Sequence, residues 1–194
     1  SEVAFVQQVT KDLNACFPTP ADAEKAGYFR YNNEDKTGAI SYANLQWNSA
    51  KDPAHPQPSQ LWYDVKGHLL GADFSVPLAD SATTPNLWGL NAGRWSKFGH
   101  DHVHYIVKNA GGTLSYGHAV RGNAFTKAGG NLADPTAAPL VKMGKVKNAD
   151  AVTKVFTFPA QWDTEVWLTP NPLGAFAETN PLVHPSKKAG ASEM

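Results

Sequence analysis

The predicted fold starts from the stretch Gly99-His100-Asp101-His102-Val103-His104-Tyr105-Ile106-Val107, in which every second residue from His100 to His104 is a histidine. Alternation of this kind predicts a half-buried β-strand. Successive side chains of a strand point to opposite faces of a sheet, so His100, His102 and His104 share one face. The stretch therefore predicts a sheet that carries a row of imidazoles.

A second strand is predicted directly after this one. The turn signal Asn109-Ala110-Gly111-Gly112 is followed by a strand-like run from Thr113 to Arg121, which contains His118. If the loop is Ala110–Gly112, the hairpin register places His104 opposite His118, with Cβ atoms about 5 Å apart. A slip of one residue would turn His118 to the other face.

Two histidines on one strand and one on its neighbour are typical of a metal site. Zinc, copper and iron all accept imidazole ligands, and a three-histidine zinc site leaves a fourth position for water or substrate. The predicted ligands are His102, His104 and His118, with His100 as a further candidate. The alternative is that the histidines form only the polar face of a half-exposed strand.

The arrangement resembles, over these two strands, the histidine pair and neighbouring-strand histidine of carbonic anhydrases and, more loosely, of cupins. Two departures are visible. Val107-Lys108-Asn109 contains no glutamate where a cupin usually has one, and His118 follows more closely than in the common animal carbonic anhydrases. Neither family is assigned.

Composition limits the function classes. The chain has 194 residues with a formal net charge of zero, which gives no electrostatic footprint for nucleic acid or an anionic membrane. Cys16 is the single cysteine, so no intrachain disulfide can form, and it is predicted to be a buried apolar residue. A sequence that starts at Ser1 without Met is consistent with a removed leader or with a trimmed N-terminus, and the expected location is secreted or periplasmic.

The pattern along the chain predicts an α+β fold: an antiparallel sheet of about six or seven strands with N-terminal helices packed on it. The helical layer covers residues 2–27, and the region 122–147 is predicted to be a long surface excursion. A single domain is expected over 1–184, followed by a flexible tail at 185–194. The other predicted strands cover 40–47, 61–65, 68–76, 152–158 and 164–168.

Carboxylates and aromatic residues add further candidates. Asp73, Asp163 or Glu165 could complete the metal site, and Glu165 is also a candidate general base. A surface or ion-paired role for Glu165 is the alternative. Trp88 and Trp95 would share one side of a short helix and form either a ligand-binding surface or part of the core.

The sequence therefore predicts a metal-binding protein with a three-histidine site on a β-hairpin, with a divalent transition metal as cofactor, zinc before copper or iron. A metal-dependent enzyme acting on a small molecule is one form of this function. The alternatives are a non-catalytic secreted module that binds a ligand or carbohydrate on an aromatic surface, and a structural protein. A small-molecule partner is expected, and neither nucleic acid nor a membrane.

Overall fold

The computed structural model describes residues 1–191, and it confirms an α+β fold built on antiparallel sheets. The chain contacts divide these residues into two compact units. Unit 1 contains Ser1–Phe98 and Gln161–Ala191, and unit 2 contains Gly99–Ala160. None of the helices in residues 1–191 combines the length and the apolar run that a membrane span needs.

Unit 1 is built on a six-stranded sheet in which every neighbouring pair is antiparallel. Its strands are β1 (Phe29–Arg30), β2 (Ile40–Ala43), β3 (Gln60–Tyr63), β4 (Leu69–Pro77), β5 (Ser96–Phe98) and β10 (Gln161–Trp167). They lie in the order β1-β2-β3-β4-β10-β5, so β4 and β10 are neighbours although they are far apart in the chain.

Two helices contribute to the core of unit 1, as the N-terminal pattern predicts. Helix α1 (Glu2–Cys16) buries Phe5, Val9 and Leu13, whose spacing of four places them on one stripe. Helix α2 (Pro20–Lys25) begins at a capping residue, Thr19, whose side chain accepts a hydrogen bond from the Asp22 backbone. These residues pack on one face of the sheet with Ala72, Phe74, Val76 and Val166.

Unit 2 has a four-stranded sheet made of β6 (His102–Lys108), β7 (Leu114–Tyr116), β8 (Val120–Arg121) and β9 (Val152–Phe158). Strand β6 is central, with β9 on one side and β7 and then β8 on the other. Two short helices complete the unit, α3 (Gly122–Lys127) and α4 (Ala138–Lys142). Phe125 and Leu140 from these helices pack with Val103 and Tyr105 of β6.

The structure corrects three of the sequence-based predictions in detail. The region 122–147 is not only a surface excursion, because Phe125 and Leu140 are fully buried there. Cys16 is exposed, since it lies off the apolar stripe of α1. The strands form two sheets rather than one sheet of six or seven.

The single domain over 1–184 and the tail at 185–194 stay predictions. Within the tail, Ser186 and Gly190 donate backbone hydrogen bonds to Glu34. Residues 192–194 of the tail lie outside the described residues.

Candidate functional site

The predicted histidine strand exists as β6, but its neighbours are aromatic. His102 and His104 are half-buried, and the register with β9 places Phe158 opposite His102 and Phe156 opposite His104. Directly opposite residues share a face, so the imidazole and phenyl rings are neighbours. The centroids of the His102 and Phe158 rings are 5.3 Å apart, and those of His104 and Phe156 are 5.5 Å apart.

The hairpin register explains why His118 does not lie opposite His104. Ile106 pairs with Tyr116, as predicted, but farther along Val103 pairs with Val120, a shift of one residue. His118 falls in the irregular stretch between β7 and β8 and is exposed. The shift follows Gly117, where a Cβ would lie 2.0 Å from Cζ of the Tyr105 ring. A glycine inside a strand often marks a local break in pairing, and here it does.

The prediction of a metal-binding function is therefore wrong. No group of three or more His, Cys, Asp or Glu side chains within residues 1–191 can hold a metal ion. His102 and His104 have ring centroids 5.1 Å apart, and His100 lies 6.2 Å from His102, but these rings do not converge with His118 on one point. Zinc, copper or iron as cofactor stays a prediction, and residues 1–191 contain no group of side chains that could hold the ion.

The electrostatics of β6 also differ from those of a solvated histidine row. Burial lowers the pKa of His104 to about 3, with a smaller contribution from His102. Burial is also the largest cause of the lowered pKa of His102. Loss of hydration disfavours the charged imidazolium, so both side chains are neutral at neutral pH.

We expect His104→Phe to make the protein less sensitive to acid. An unfolded histidine titrates near pH 6.5, whereas His104 titrates at about 3 in the folded protein. Between these values the unfolded chain binds the extra proton, so the free energy of unfolding decreases as the pH falls through this window. Urea unfolding at pH 7 and pH 4 should show that the variant loses about 3 kcal/mol less than the wild type. The control is His184→Phe, at an exposed position. An equal loss in all three proteins would contradict the assignment.

A different group of titratable side chains lies on unit 1, on the face of β4 and β10 that the helices do not cover. Asp73 of β4 is directly opposite Glu165 of β10, and Ser75 is directly opposite Asp163. Their immediate neighbours in each strand, such as Phe74 and Thr164, are buried. Because strand side chains alternate, the apolar neighbours pack against α1 and the carboxyl groups share the opposite face.

Asp163 is held by hydrogen bonds. The Ser75 hydroxyl donates to Asp163 Oδ1 at 2.5 Å, and Gln161 Nε2 donates to the same oxygen at 2.9 Å. Burial raises the pKa of Asp163, and these two hydrogen bonds lower it in part. The side chains of Ser75 and Ser59 are themselves 2.5 Å apart between hydroxyl oxygens, so the polar network continues onto β3.

Asp73 and Glu165 form an unequal pair. Asp73 is 6% exposed, and its Oδ1 has no hydrogen-bond partner among residues 1–191. Burial raises the pKa of Asp73 well above its usual value, and the charges of Glu165 and Asp163 raise it further. Glu165 is more exposed, but partial loss of hydration and the charges of Asp163 and Asp35 still raise its pKa. Burial therefore favours the neutral form of both carboxyl groups, and Asp73 is the more deeply buried of the two.

Glu165 lines a cleft of about 400 Å³, together with Arg94, Phe176 and Glu178. The Arg94 guanidinium lies over the Phe176 ring, with its carbon 4.7 Å from the centroid. Glu2 of helix α1 accepts hydrogen bonds from Arg94 Nε at 3.2 Å and Nη2 at 3.1 Å. These contacts hold the guanidinium in place on the wall of the cleft that Glu165 also lines.

The other aromatic and histidine candidates lie elsewhere. Trp88 stacks on Phe5 with ring centroids 4.7 Å apart, and Trp95 is 6% exposed, so both belong to the core of unit 1. His55 is exposed on a loop and contacts Asp52. His68 and His184 line a second cleft of unit 1.

The sequence analysis named Asp73, Asp163 and Glu165 only as additions to a metal site and missed Ser75 and Gln161. A signal was present, because Asp73 and Ser75 alternate with apolar residues in one strand, and Asp163 and Glu165 do so in another. The sequence alone does not show that β4 pairs with β10. No family model, curated protein or solved structure matches this chain, so the chemistry of the carboxyl pair rests on its own residues.

Proposed function

We propose that the protein is a general-base enzyme that removes a proton from a small anionic carbonyl compound bound over Glu165. The observation that carries this proposal is the pair itself. A buried carboxyl with an unpartnered oxygen, Asp73, lies directly opposite a more exposed carboxyl, Glu165, that lines a cleft. Carboxyl pairs with unequal environments are typical of acid–base sites.

Glu165 is the base in this proposal. Its raised pKa makes the carboxylate a stronger base than an ordinary glutamate, closer to the pH at which the enzyme would work. Asp73 acts through Glu165 as a positioning residue. Because deep burial favours the protonated form of Asp73, the Glu165 carboxylate faces a neutral neighbour rather than a second negative charge.

Arg94 supports the choice of an anionic substrate. Glu2 occupies Nε and Nη2 of the guanidinium, which leaves Nη1 for a carboxylate or carbonyl oxygen of the substrate. Phe176 offers an apolar surface on the same side of the cleft. In the reaction, Glu165 takes a proton from the carbon next to the carbonyl group. The electron pair of the broken C–H bond forms the C=C bond of an enolate, while the π pair of the carbonyl group moves to its oxygen. After the Glu165 carboxyl has exchanged its proton with solvent, it returns a proton to the enolate carbon and the carbonyl group is restored.

The test is hydrogen–deuterium exchange into the methyl group of pyruvate in D₂O, followed by proton NMR. Pyruvate has both an anionic group for Arg94 and an exchangeable C–H. We expect the wild type to accelerate the exchange and Glu165→Gln to reduce the acceleration about 100-fold, since an amide cannot accept the proton. Glu24→Gln is the matched control, because Glu24 is exposed on α2, outside the cleft.

Acetone, which lacks the carboxylate, separates the roles of Arg94 and Glu165. Arg94→Lys should slow the exchange of pyruvate more than that of acetone, because lysine cannot reproduce the planar arrangement of donors. An enzyme that exchanges neither compound, or a Glu165→Gln variant as active as Glu24→Gln, would contradict the proposal.

A further inference from the structure

A second cleft of unit 1, of about 470 Å³, lies between the turn that joins β3 to β4 and the C-terminal segment. Its walls include the apolar side chains of Val65, Leu70, Leu182 and Val183. Leu70 is buried and packs with Trp62 and Trp167, which gives the cleft a rigid base. Val65 and Leu182 are 55% and 60% exposed, so large apolar groups face solvent at a concave site. Clefts of this size and composition are typical of small-molecule sites.

The two carboxylates that line this cleft are already engaged within the protein. Asp64 accepts hydrogen bonds from the backbone N–H groups of Lys66 and His68 at 2.8 and 2.9 Å. Its second oxygen lies 2.8 Å from His68 Nδ1. Glu34 accepts hydrogen bonds from the backbone and the hydroxyl of Ser186.

The other polar side chains of the cleft are the basic Lys66, His68 and His184 and the neutral Thr169 and Asn180. The contact with Asp64 fixes the His68 ring through Nδ1, which leaves Nε2 for a ligand. The ammonium group of Lys66 forms no ion pair with a carboxylate in the part of the chain that the structure describes. Gly67, with φ of +84°, lies in the turn between Lys66 and His68, and both of these residues line the cleft.

We propose that this cleft binds a small amphipathic carboxylate, with its alkyl chain against Val65 and Leu182 and its carboxylate against Lys66 and His68. Charge complementarity favours an anionic head group, because Asp64 and Glu34 are engaged within the protein, whereas the Lys66 ammonium forms no ion pair among residues 1–191 and His68 contacts Asp64 through Nδ1 only. The volume of the cleft suits a chain of medium length. This site is separate from the carboxyl pair and does not depend on the function proposed for Glu165.

Octanoate is the probe, titrated against the whole protein by isothermal calorimetry at concentrations below micelle formation. We expect saturable binding of one octanoate per chain. Leu182→Ser should weaken binding about tenfold, because the alkyl chain loses an apolar contact. The matched control is Leu173→Ser, since Leu173 is 62% exposed and does not line the cleft.

The role of charge in binding the head group is tested by removing the Lys66 charge and by reversing the charge of the ligand. Lys66→Gln should weaken octanoate binding about fivefold, whereas Lys51→Gln, at an exposed position outside the cleft, should leave it unchanged. Octyltrimethylammonium has a similar alkyl chain and the opposite charge, and it should bind more weakly than octanoate. Non-saturable binding, equal affinity for the two amphiphiles, or equal effects of Leu182→Ser and Leu173→Ser would overturn the proposal.

Discussion

Gly71→Ala is expected to destabilise the protein by about 3 kcal/mol, because an added methyl group has no space at this position. Gly71 lies directly opposite Trp62 in the β3–β4 pair. A Cβ on Gly71 would be 2.4 Å from Cε3 of the Trp62 indole and 2.7 Å from the backbone oxygen of Val166. Neither neighbour can move easily, since the indole is buried and packs edge-to-face against Trp167, and the oxygen belongs to a strand.

The measurement is urea unfolding of Gly71→Ala beside Gly111→Ala. No atom lies within 4 Å of the position that a Cβ on Gly111 would take, so the same substitution there should change the free energy of unfolding by less than about 0.5 kcal/mol. Equal stability of the two variants would contradict the close packing of Trp62 on Gly71.

Asp73→Asn is expected to raise the free energy of unfolding by about 2 kcal/mol at neutral pH, because it replaces a buried carboxyl with a neutral amide of similar shape. The sign follows from the raised pKa of Asp73 in the folded protein. Below about pH 3.9 the carboxyl is protonated in both states and carries no electrostatic penalty. Above that value the unfolded chain releases a proton that the folded protein retains, so stability falls as the pH rises towards the pKa of the folded state.

The stabilisation by Asp73→Asn should therefore be small at pH 4 and larger at pH 8. Asp134→Asn is the control, since Asp134 is exposed in unit 2. Chemical unfolding of the wild type and the two variants at both pH values gives the comparison. A gain that is the same at pH 4 and pH 8 would show that the Asp73 carboxyl is not held in its protonated form.

Local patterns predicted the local structure well. The helical layer predicted over residues 2–27 contains α1 and α2, and the strand predicted over 152–158 matches β9. The hairpin loop at Ala110–Gly112 set the register of β6 and β7, with Ile106 opposite Tyr116. Each of these features depends on residues that are near one another in the chain, so periodicity and turn chemistry are sufficient to predict them.

The candidate site could not be predicted in the same way, because it depends on distant pairings. Nothing local shows that β9 places Phe156 beside His104, or that β10 places Glu165 opposite Asp73. The register shift near Gly117 depends on the position of the Tyr105 ring, which is also a matter of packing. The histidine row was the more visible pattern, and the less conspicuous alternation of carboxyl groups leads to the proposed chemistry.

The sheet order of unit 1 also has a consequence for synthesis on the ribosome. Strand β4 spans Leu69–Pro77, yet its partner β10 begins only at Gln161, after all of Gly99–Ala160 has emerged. Unit 2 is one uninterrupted segment, so its contacts can form while β4 still has an open edge. An open edge of this length invites pairing with other chains. Until β10 has been synthesised, this edge of β4 therefore stays open to such pairing.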